Sequence, residues 1–314
     1  MTACTTPRYL RVSLLSGCNL NCTYCRPEGQ SEPALIADSD RLNSAIEFLL
    51  RAGIRKVRFT GGEPTLHKDL AAVVAQVKAM DSGVHTAITT NGVLLGDLAP
   101  SLASAGLDSA NISLDTLDRV RFQSITGRDQ LDNVVHGIET AASYIGLVKL
   151  NCVLVRGTND HEVSDLIRFA NDRGLDIRFI EYMPNRFSAP GDPRFISGDE
   201  IRGRLPWNLK PSLISPSSAT RYYSTLDLSI RVGFISPISH PFCSGCDRLR
   251  LAADGMLYAC LFDSQAFNLY DVMVAGPRKA DAELKKLVEL KRFGGCRGAV
   301  DRPSELPSFS TLGG

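Results

Sequence analysis

Short runs rich in β-branched and aromatic residues recur along the first 183 residues, and each run ends in a polar or glycine-containing segment. Runs of this length and composition are typical of strands buried in a sheet. They predict six strands, over residues 9–15, 56–60, 85–90, 109–115, 148–155 and 176–183.

The segments between these strands carry apolar residues at three- and four-residue spacing, which is the period of an amphipathic helix. The clearest of them predict helices over 39–53, 67–80 and 161–174. The first helix has Ser39 or Asp40 as its expected N-cap and stops at Gly53. Strands that alternate with helices predict parallel strands joined by right-handed crossovers.

An open doubly wound sheet and a barrel both contain such an alternation, and the loops favour the barrel. Chemically distinctive segments follow strand after strand: the cysteine loop, then "GGEP", "TTNG", "SLD", "VRGTN" and "EYMP". Barrel enzymes carry their catalytic residues on the rim formed by the C-terminal ends of the strands. The sequence therefore predicts an α/β fold with a barrel, complete or partial.

The pattern changes after Met183, where segments rich in Pro, Ser and Gly predict connecting loops. A compact segment over 231–262 follows, then a helical stretch near 279–292 and a polar tail. We place a boundary near residue 187, which predicts a barrel domain over 1–187 and a C-terminal domain over 188–314.

The overall composition is that of an ordinary globular protein. The 314 residues are 44% hydrophobic and 22% charged, with a formal charge of +1, so nothing pulls the chain toward nucleic acid or an anionic membrane. No apolar run is long enough for a membrane helix, and the N-terminus lacks a signal-peptide core. We expect a cytoplasmic protein, in which the nine cysteines serve as metal ligands more readily than as disulfides.

Three of those cysteines lie within eight residues, at Cys18, Cys22 and Cys25. Three thiolates in one loop suit a [4Fe–4S] cluster whose fourth iron has no protein ligand. Structural zinc takes four protein ligands, so three thiolates alone would leave it open. The spacing favours the cluster.

A second group consists of Cys243, Cys246 and Cys260. A redox pair would leave Cys260 unexplained, and zinc would need a fourth ligand, for which His240 is the nearby candidate. A second cluster with an open iron fits equally well, and spacing alone does not separate zinc from a cluster.

The first cysteine motif, with Tyr24 before its last cysteine and "TGGEP" at 60–64, resembles the radical S-adenosylmethionine (SAM) superfamily. The resemblance implies that SAM chelates the open iron and that its cleavage releases a 5′-deoxyadenosyl radical. It implies cofactor contacts from Tyr24, Gly61, Gly62, Glu63, Thr90, Asn91 and Ser113.

Nearly the whole chain, including "HPFCSGCDRLRLAADGMLYACLF", resembles the molybdenum-cofactor GTP 3′,8-cyclase (MoaA) family. The resemblance implies a partial (β/α)6 TIM-type barrel and a C-terminal domain that carries an auxiliary cluster, hence two [4Fe–4S] clusters. It implies GTP as the substrate, with the radical taking the ribose 3′ hydrogen and C3′ joining guanine C8. This is the first step of molybdenum cofactor biosynthesis in that family.

Particular residues match the nucleotide site of that family. Arg248 and Arg250 alternate, so on a strand they would face one way, and Arg11 could point inside the barrel from the first strand. Guanidinium groups grip phosphate or base oxygens bidentately. The resemblance also implies catalytic roles for the terminal Gly313 and Gly314, and substrate contacts from Lys149, Arg178 and His67.

Some positions depart from the family pattern. Ser16 and Gly17 replace an Asp-Arg pair, Arg26 replaces a Met-like residue, and His67 stands where the family has an arginine. Histidine can meet phosphate but carries less charge near neutral pH. These departures leave an alternative open, a paralogue that acts on another nucleotide or a peptide.

The implied partners are GTP, a reductant such as flavodoxin or ferredoxin, and a downstream pterin synthase. We expect no nucleic-acid partner, and a homodimer is one oligomeric state considered.

A zinc-bearing binding protein without radical chemistry is the alternative hypothesis from a different functional class. Such a protein would be colourless, whereas two cubanes give a brown protein with about eight irons per chain.

Overall fold

Six parallel strands form the centre of the structure, a computed structural model that describes residues 6–26, 34–183, 191–212, 219–262 and 265–292. The strands are β1 (Tyr9–Ser13), β2 (Lys56–Thr60), β3 (His85–Thr90), β4 (Ser109–Ser113), β5 (Leu147–Leu154) and β6 (Asp176–Glu181). They pair in chain order, and every pairing is parallel. All six predicted strands are present, and most end a residue or two earlier than predicted.

Helices connect and cover these strands. They are α1 (Ser39–Arg51), α2 (Leu70–Met80), α3 (Leu95–Ser104), α4 (Arg119–Thr126), α5 (Leu131–Tyr144) and α6 (Val163–Asn171). Alternate strand residues such as Leu10, Val12 and Phe59 are fully buried in the main apolar core with the helices. Because strand side chains alternate, the residues between them face the opposite side, the barrel interior.

The first helix shows how local sequence sets an element. The side chain of Asp38 accepts a hydrogen bond from Arg41 N at 2.9 Å, so the N-cap is Asp38 and not Ser39 or Asp40 as expected. Leu42, Ile46 and Leu49 recur on one face and are fully buried. Burial of such a side chain stabilises the fold by about 1.5–3 kcal/mol.

The second predicted helix begins later than the pattern indicated. Pro64–Leu66 form a short 3₁₀ turn, and the α-helix starts only at Leu70. The side chain of Glu63 accepts from Thr65 N and caps that turn, while His67 is extended and separates the two segments.

The C-terminal part adds strands to both edges of the barrel sheet. Its elements are α7 (Gly198–Arg204), β7 (Lys210–Pro211), β8 (Thr220–Ser224), β9 (Val232–Ile235), β10 (Arg248–Leu251), β11 (Met256–Tyr258), β12 (Ala266–Asn268), α8 (Leu269–Val274) and α9 (Pro277–Arg292). β9 pairs parallel with β6, and β10 pairs parallel with β1. The order β12-β11-β10-β1-β2-β3-β4-β5-β6-β9-β8-β7 does not close on itself within the described residues.

This architecture confirms the predicted fold class, a partial barrel of the TIM type with an added C-terminal part. The boundary predicted near residue 187 lies in a segment outside the described residues and stays a prediction. Across the part of the chain that is described, no helix combines the length and apolar character needed to cross a membrane.

Candidate active site at the barrel rim

The first cysteine loop follows the C-terminal end of β1. Backbone hydrogen bonds from Asn21 N to Thr126 O and from Thr23 N to Ile125 O, of 2.8 and 3.0 Å, tie the loop to the end of α4. Another bond, from Cys25 N to Cys22 O at 2.9 Å, turns the chain between two of the cysteines. The loop is therefore held in place by its backbone.

The cysteines of this loop lie close enough to influence each other. Burial raises the pKa of Cys22, and the nearby Asp115, Cys25 and Cys18 raise it further. Burial also raises the pKa of Cys18, with Glu63 adding to the effect. These raised pKa values favour the neutral thiols, so the sulfurs become thiolates only when a cationic centre such as iron binds them. The donor set thus fits an iron–sulfur cluster.

The "GGE" segment after β2 lies against the backbone of this loop. Gly62 N donates to Leu15 O at 2.6 Å, and Glu63 N donates to Gly17 O at 2.8 Å. A Cβ on Gly62 would lie 1.9 Å from Gly17 O, so only glycine permits this approach. The predicted SAM residues are thereby brought beside the predicted cluster ligands.

The carboxylate of Glu63 ties two rim loops together. It accepts from Thr65 N, from the Thr90 hydroxyl at 2.7 Å and from Asn91 N at 2.7 Å, and only 1% of the residue is exposed. Burial raises the pKa of Glu63. Its position fits the predicted contact to SAM, and its bonds give it a structural role that the sequence did not indicate.

Asn91 and Ser113 complete the predicted SAM side. Asn91 Nδ2 donates to Asn19 Oδ1 at 2.7 Å and lies 3.8 Å from Cys18 Sγ, so the "TTNG" loop touches the cysteine loop directly. Ser113 ends β4 opposite Asn151 of β5. The cofactor contacts assigned from the sequence remain predictions. They involve Tyr24, Gly61, Gly62, Glu63, Thr90, Asn91 and Ser113.

Asp115 is a residue of this site that the sequence analysis missed. Its Oδ2 accepts from the Tyr24 hydroxyl at 2.6 Å, and its Oδ1 accepts from Val153 N at 2.8 Å. Burial raises the pKa of Asp115 to about 6. The signal was the "SLD" segment, whose aspartate follows β4 on the same rim.

Two rows of mostly cationic side chains line the barrel interior beside this rim. β10, β1 and β2 place Arg248, Tyr9 and Lys56 in one register row. Two residues further along the same strands, the next row that faces the interior contains Arg250, Arg11 and Arg58. Burial lowers the pKa of Arg250 to about 10, and burial together with Arg250 lowers the pKa of Arg11. The prediction that both C-terminal arginines lie on one strand and face one way agrees with β10.

The opposite wall carries Lys149 and Arg178. Arg178 Nε donates to Asn151 Oδ1 at 2.9 Å, while its Nη2 is buried and has no hydrogen-bond partner among the described residues. Lys149 Nζ lies 3.1 Å from Tyr222 Oη and 3.9 Å from Asp176. Burial lowers the pKa of Lys56, and charges as far as Lys149 and Arg178 contribute. We call Arg11, Lys56, Arg58, Lys149, Arg178, Arg248 and Arg250 the cationic wall.

Three members of this interior went unrecognised in the sequence. Lys56, Arg58 and Tyr9 alternate with apolar residues on β1 and β2, which is the same signal that revealed Arg248 and Arg250. Arg58 is 4% exposed and donates to Tyr9 Oη at 2.5 Å and to Ile88 O at 2.6 Å. Among the described residues no carboxylate pairs with this buried arginine, which suits an anionic ligand.

His67 lies apart from the cationic wall in the contacts described. Its ring contacts Ala37 O at 3.4 Å and accepts from Asp69 N at 3.3 Å, beside a cleft of about 450 Å³ lined by residues 36–40 and 66–69. The structure therefore does not bring His67 together with the arginines. Gly313 and Gly314 lie outside the described residues.

The second cysteine group lies near Arg250 of the cationic wall. Cys243 lies in a 3₁₀ turn (Cys243–Gly245) that Cys246 ends, and Cys260 follows β11. Charges on Cys260 and Cys246 raise the pKa of Arg250, so both cysteines lie near its guanidinium. His240, the candidate fourth zinc ligand, instead has its Nε2 2.5 Å from Asp199 Oδ2. No three His, Cys, Asp or Glu side chains within the described ranges converge to hold a single metal ion.

Comparisons with known families match this geometry. The sequence profile of the "Radical SAM superfamily" matches residues 12–170, and that of "Molybdenum Cofactor Synthesis C" matches residues 175–293. Among solved structures, Streptococcus suis SuiB bound to S-adenosylmethionine superposes with a TM-score of 0.64 at 15% identity. That match covers 95% of this chain and 68% of SuiB, and it bears on the fold alone.

Sequence relatives are closer. A GTP 3′,8-cyclase of Ectopseudomonas mendocina is 38% identical, with 98% of this chain and 95% of the relative covered. A GTP 3′,8-cyclase of Campylobacter fetus is 37% identical over 88% and 87%. Molybdenum cofactor biosynthesis protein 1 of Drosophila melanogaster is 41% identical over 90% of this chain, which spans 50% of that protein's length. The chain belongs to the radical SAM superfamily and, within it, to the family of the GTP 3′,8-cyclases.

Proposed function

We propose that the protein is a radical SAM GTP 3′,8-cyclase that carries out the first step of molybdenum cofactor biosynthesis. The observation that carries the proposal is the cationic wall inside the barrel: Arg250 lies near Cys246 and Cys260, and Arg11 lies on β1, the strand that leads into the first cysteine loop. Neither triad alone would indicate a nucleotide, whereas several cations facing one interior, with Arg58 and Arg250 buried among them, support a polyanion as the ligand. The cyclase relatives support GTP as that polyanion.

When bound, a reduced [4Fe–4S] cluster with SAM would supply the radical chemistry of the reaction: removal of the ribose 3′ hydrogen of GTP, bonding of C3′ to guanine C8, and a final one-electron reduction with protonation. In this proposal Cys18, Cys22 and Cys25 hold that cluster. The "GGE" backbone edge at Gly61 and Gly62 receives the SAM amino group. Thr90, Asn91 and Ser113 line the pocket, and the ring of Tyr24 is fixed by its hydrogen bond to Asp115.

The chain's own residues bind and orient the nucleotide. Within the part of the chain that the structure describes, Arg178 Nη2 and Arg248 Nε are buried and have no hydrogen-bond partner, and phosphate or base oxygens could accept from both. Arg11, Arg58 and Arg250 neutralise the triphosphate from one side and Lys149 from the other. Holding two carbons at contact distance in a closed interior is the main task, because positioning removes most of the entropic barrier.

The second cysteine triad is proposed to hold an auxiliary [4Fe–4S] cluster, with the guanine base directed at its open iron. The engagement of His240, the candidate fourth zinc ligand, by Asp199 supports this reading. Gly313 and Gly314 are proposed to enter the active site. Flavodoxin or ferredoxin would supply electrons, and a pterin synthase would take the product.

The alternative is a paralogue that uses the same clusters on another nucleotide or a peptide. His67 favours it modestly, because the expected arginine is replaced by a side chain that contacts Ala37 and Asp69 instead of the wall.

The test is anaerobic incubation of the reconstituted chain with SAM, a strong reductant and GTP, followed by product analysis. We expect one equivalent of 5′-deoxyadenosine for each 3′,8-cyclised nucleotide. Deuterium at the GTP 3′ position should appear in 5′-deoxyadenosine. SAM cleavage without a cyclic guanine product would support the paralogue, and a colourless protein with zinc and no iron would refute both.

A further inference from the structure

Lys291 is a buried lysine that none of the roles above uses. It lies at the end of α9, and only 5% of it is exposed. Other lysines of the same helix, such as Lys285 and Lys286, are exposed to solvent. A buried ammonium destabilises the fold unless it is paired, so this position needs a compensating partner.

The partners of Lys291 are not carboxylates. Its Nζ donates to Ala259 O at 2.7 Å and to Cys246 Sγ at 3.5 Å. Among the residues that the structure describes, no Asp or Glu oxygen is within ion-pair distance of it. The ammonium charge is therefore aimed at a cysteine sulfur, the one kind of group here that becomes anionic when it binds a metal.

Lys291 also connects two separate segments of the second triad. Ala259 directly precedes Cys260, while Cys246 ends the turn before β10. One side chain thus spans the two segments that must lie at a fixed separation if both sulfurs are to bind one cluster. The pairing of Arg250 with Tyr258 across β10 and β11 fixes the same two segments from the other side.

We propose that Lys291 is a positioning residue for the auxiliary cluster, holding the Cys246 and Cys260 segments together and donating an N–H···S hydrogen bond to Cys246. The inference rests on the auxiliary cluster of the proposed function. A hydrogen bond and a positive charge at a ligand sulfur stabilise the reduced, more negative form of a cluster. Lys291 consequently raises the reduction potential of this cluster and leaves the cluster of the first triad unchanged.

The test compares Lys291→Met, which keeps length but removes charge and donor, with Lys291→Arg, which keeps both. Lys285→Met on the exposed face of α9 is the matched control. All are made in full-length chain reconstituted without oxygen, in a background where Cys18, Cys22 and Cys25 are alanine, so that any cluster signal comes from the second triad. Iron content and a potentiometric titration followed by electron paramagnetic resonance are measured.

We expect Lys291→Met to shift the reduction equilibrium at least tenfold toward the oxidised cluster, which is about 59 mV for one electron. Lys291→Arg should recover most of that shift, and Lys285→Met should show none. Loss of iron in Lys291→Met but not in Lys291→Arg would equally support the positioning role. Unchanged iron content and potential in Lys291→Met, or the same iron loss in both Lys291 variants, would overturn it.

A parallel measurement on the unsubstituted chain separates this inference from the function it rests on. About eight irons per chain are expected there. About four irons would refute the auxiliary cluster and Lys291's role with it. Eight irons together with an unperturbed Lys291→Met variant would refute Lys291's role alone.

Discussion

The two cysteine triads share a ligand type and differ in the charges around them. The carboxylates of Glu63 and Asp115 act on the first triad, and Arg26 only partly offsets them at Cys18. Arg250 and Lys291 lie at the second triad. Negative surroundings make a cluster harder to reduce and positive surroundings make it easier. In the proposed function, these surroundings would suit a strongly reducing cluster at the first triad and a cluster next to an anionic nucleotide at the second.

Cysteine substitutions should separate the two triads most strongly. Cys22→Ala should abolish both SAM cleavage and cyclisation, because the first cluster loses a ligand. Cys246→Ala should abolish cyclisation and leave SAM cleavage measurable. Anaerobic assays of 5′-deoxyadenosine and of the cyclic product check this, with Cys152→Ala, a core cysteine, as control. Loss of SAM cleavage in both variants would show that the triads do not act separately.

Arg58→Met probes the cationic wall between the triads. Removal of a buried guanidinium that meets phosphate should weaken GTP binding by about 10–100-fold, since a charged hydrogen bond contributes about 1.5–3 kcal/mol. SAM binding should change little. Calorimetric titration measures both, and Arg168→Met, an exposed arginine of α6 paired with Asp165, is the control. Equal losses for GTP and SAM would contradict the assignment.

Tyr24→Phe tests the surroundings of Asp115, one of the two carboxylates that act on the first triad. The change removes the hydrogen bond to Asp115 and leaves a buried carboxylate less satisfied. We expect the free energy of unfolding to fall by about 1–3 kcal/mol. Urea unfolding measures it, and Tyr144→Phe, at an exposed tyrosine, should change it far less. An unchanged value for Tyr24→Phe would mean that the hydrogen bond contributes nothing.

Tyr9 gives an effect that depends on pH. Burial alone would raise the pKa of Tyr9, but Arg58, Arg11, Arg248 and Lys56 together lower it to about 7 from its usual 10. The unfolded chain binds more protons between these values, so Tyr9 contributes stability that grows as pH rises from 7 to 10 and is lost as pH falls through 7. The difference in unfolding free energy between the unsubstituted chain and Tyr9→Phe should widen over that range. A difference that is flat with pH would refute the phenolate.

Much of the barrel could be predicted from sequence because its strands are short apolar runs with clear ends. The N-cap of α1 was misplaced because Asp38, Ser39 and Asp40 are all competent caps and only geometry selects one. Arg58 and Asp115 were missed because their roles depend on neighbours far along the chain, such as Tyr9 and Tyr24. Lys291 offered no sequence signal, since an exposed helix lysine and a buried one read alike.

The pairing of β1 with β10 joins Tyr9 to Arg248 and closes a very long stretch of chain. The outer partners of β1 and β6 are β10 and β9, which are translated later, so a nascent chain that lacks them leaves the edges of β1 and β6 unpaired. Bare parallel edges invite pairing with other chains, and distant pairings form slowly. Synthesis of the nascent chain therefore passes through an aggregation-prone stage, which ends only when the last third emerges from the ribosome.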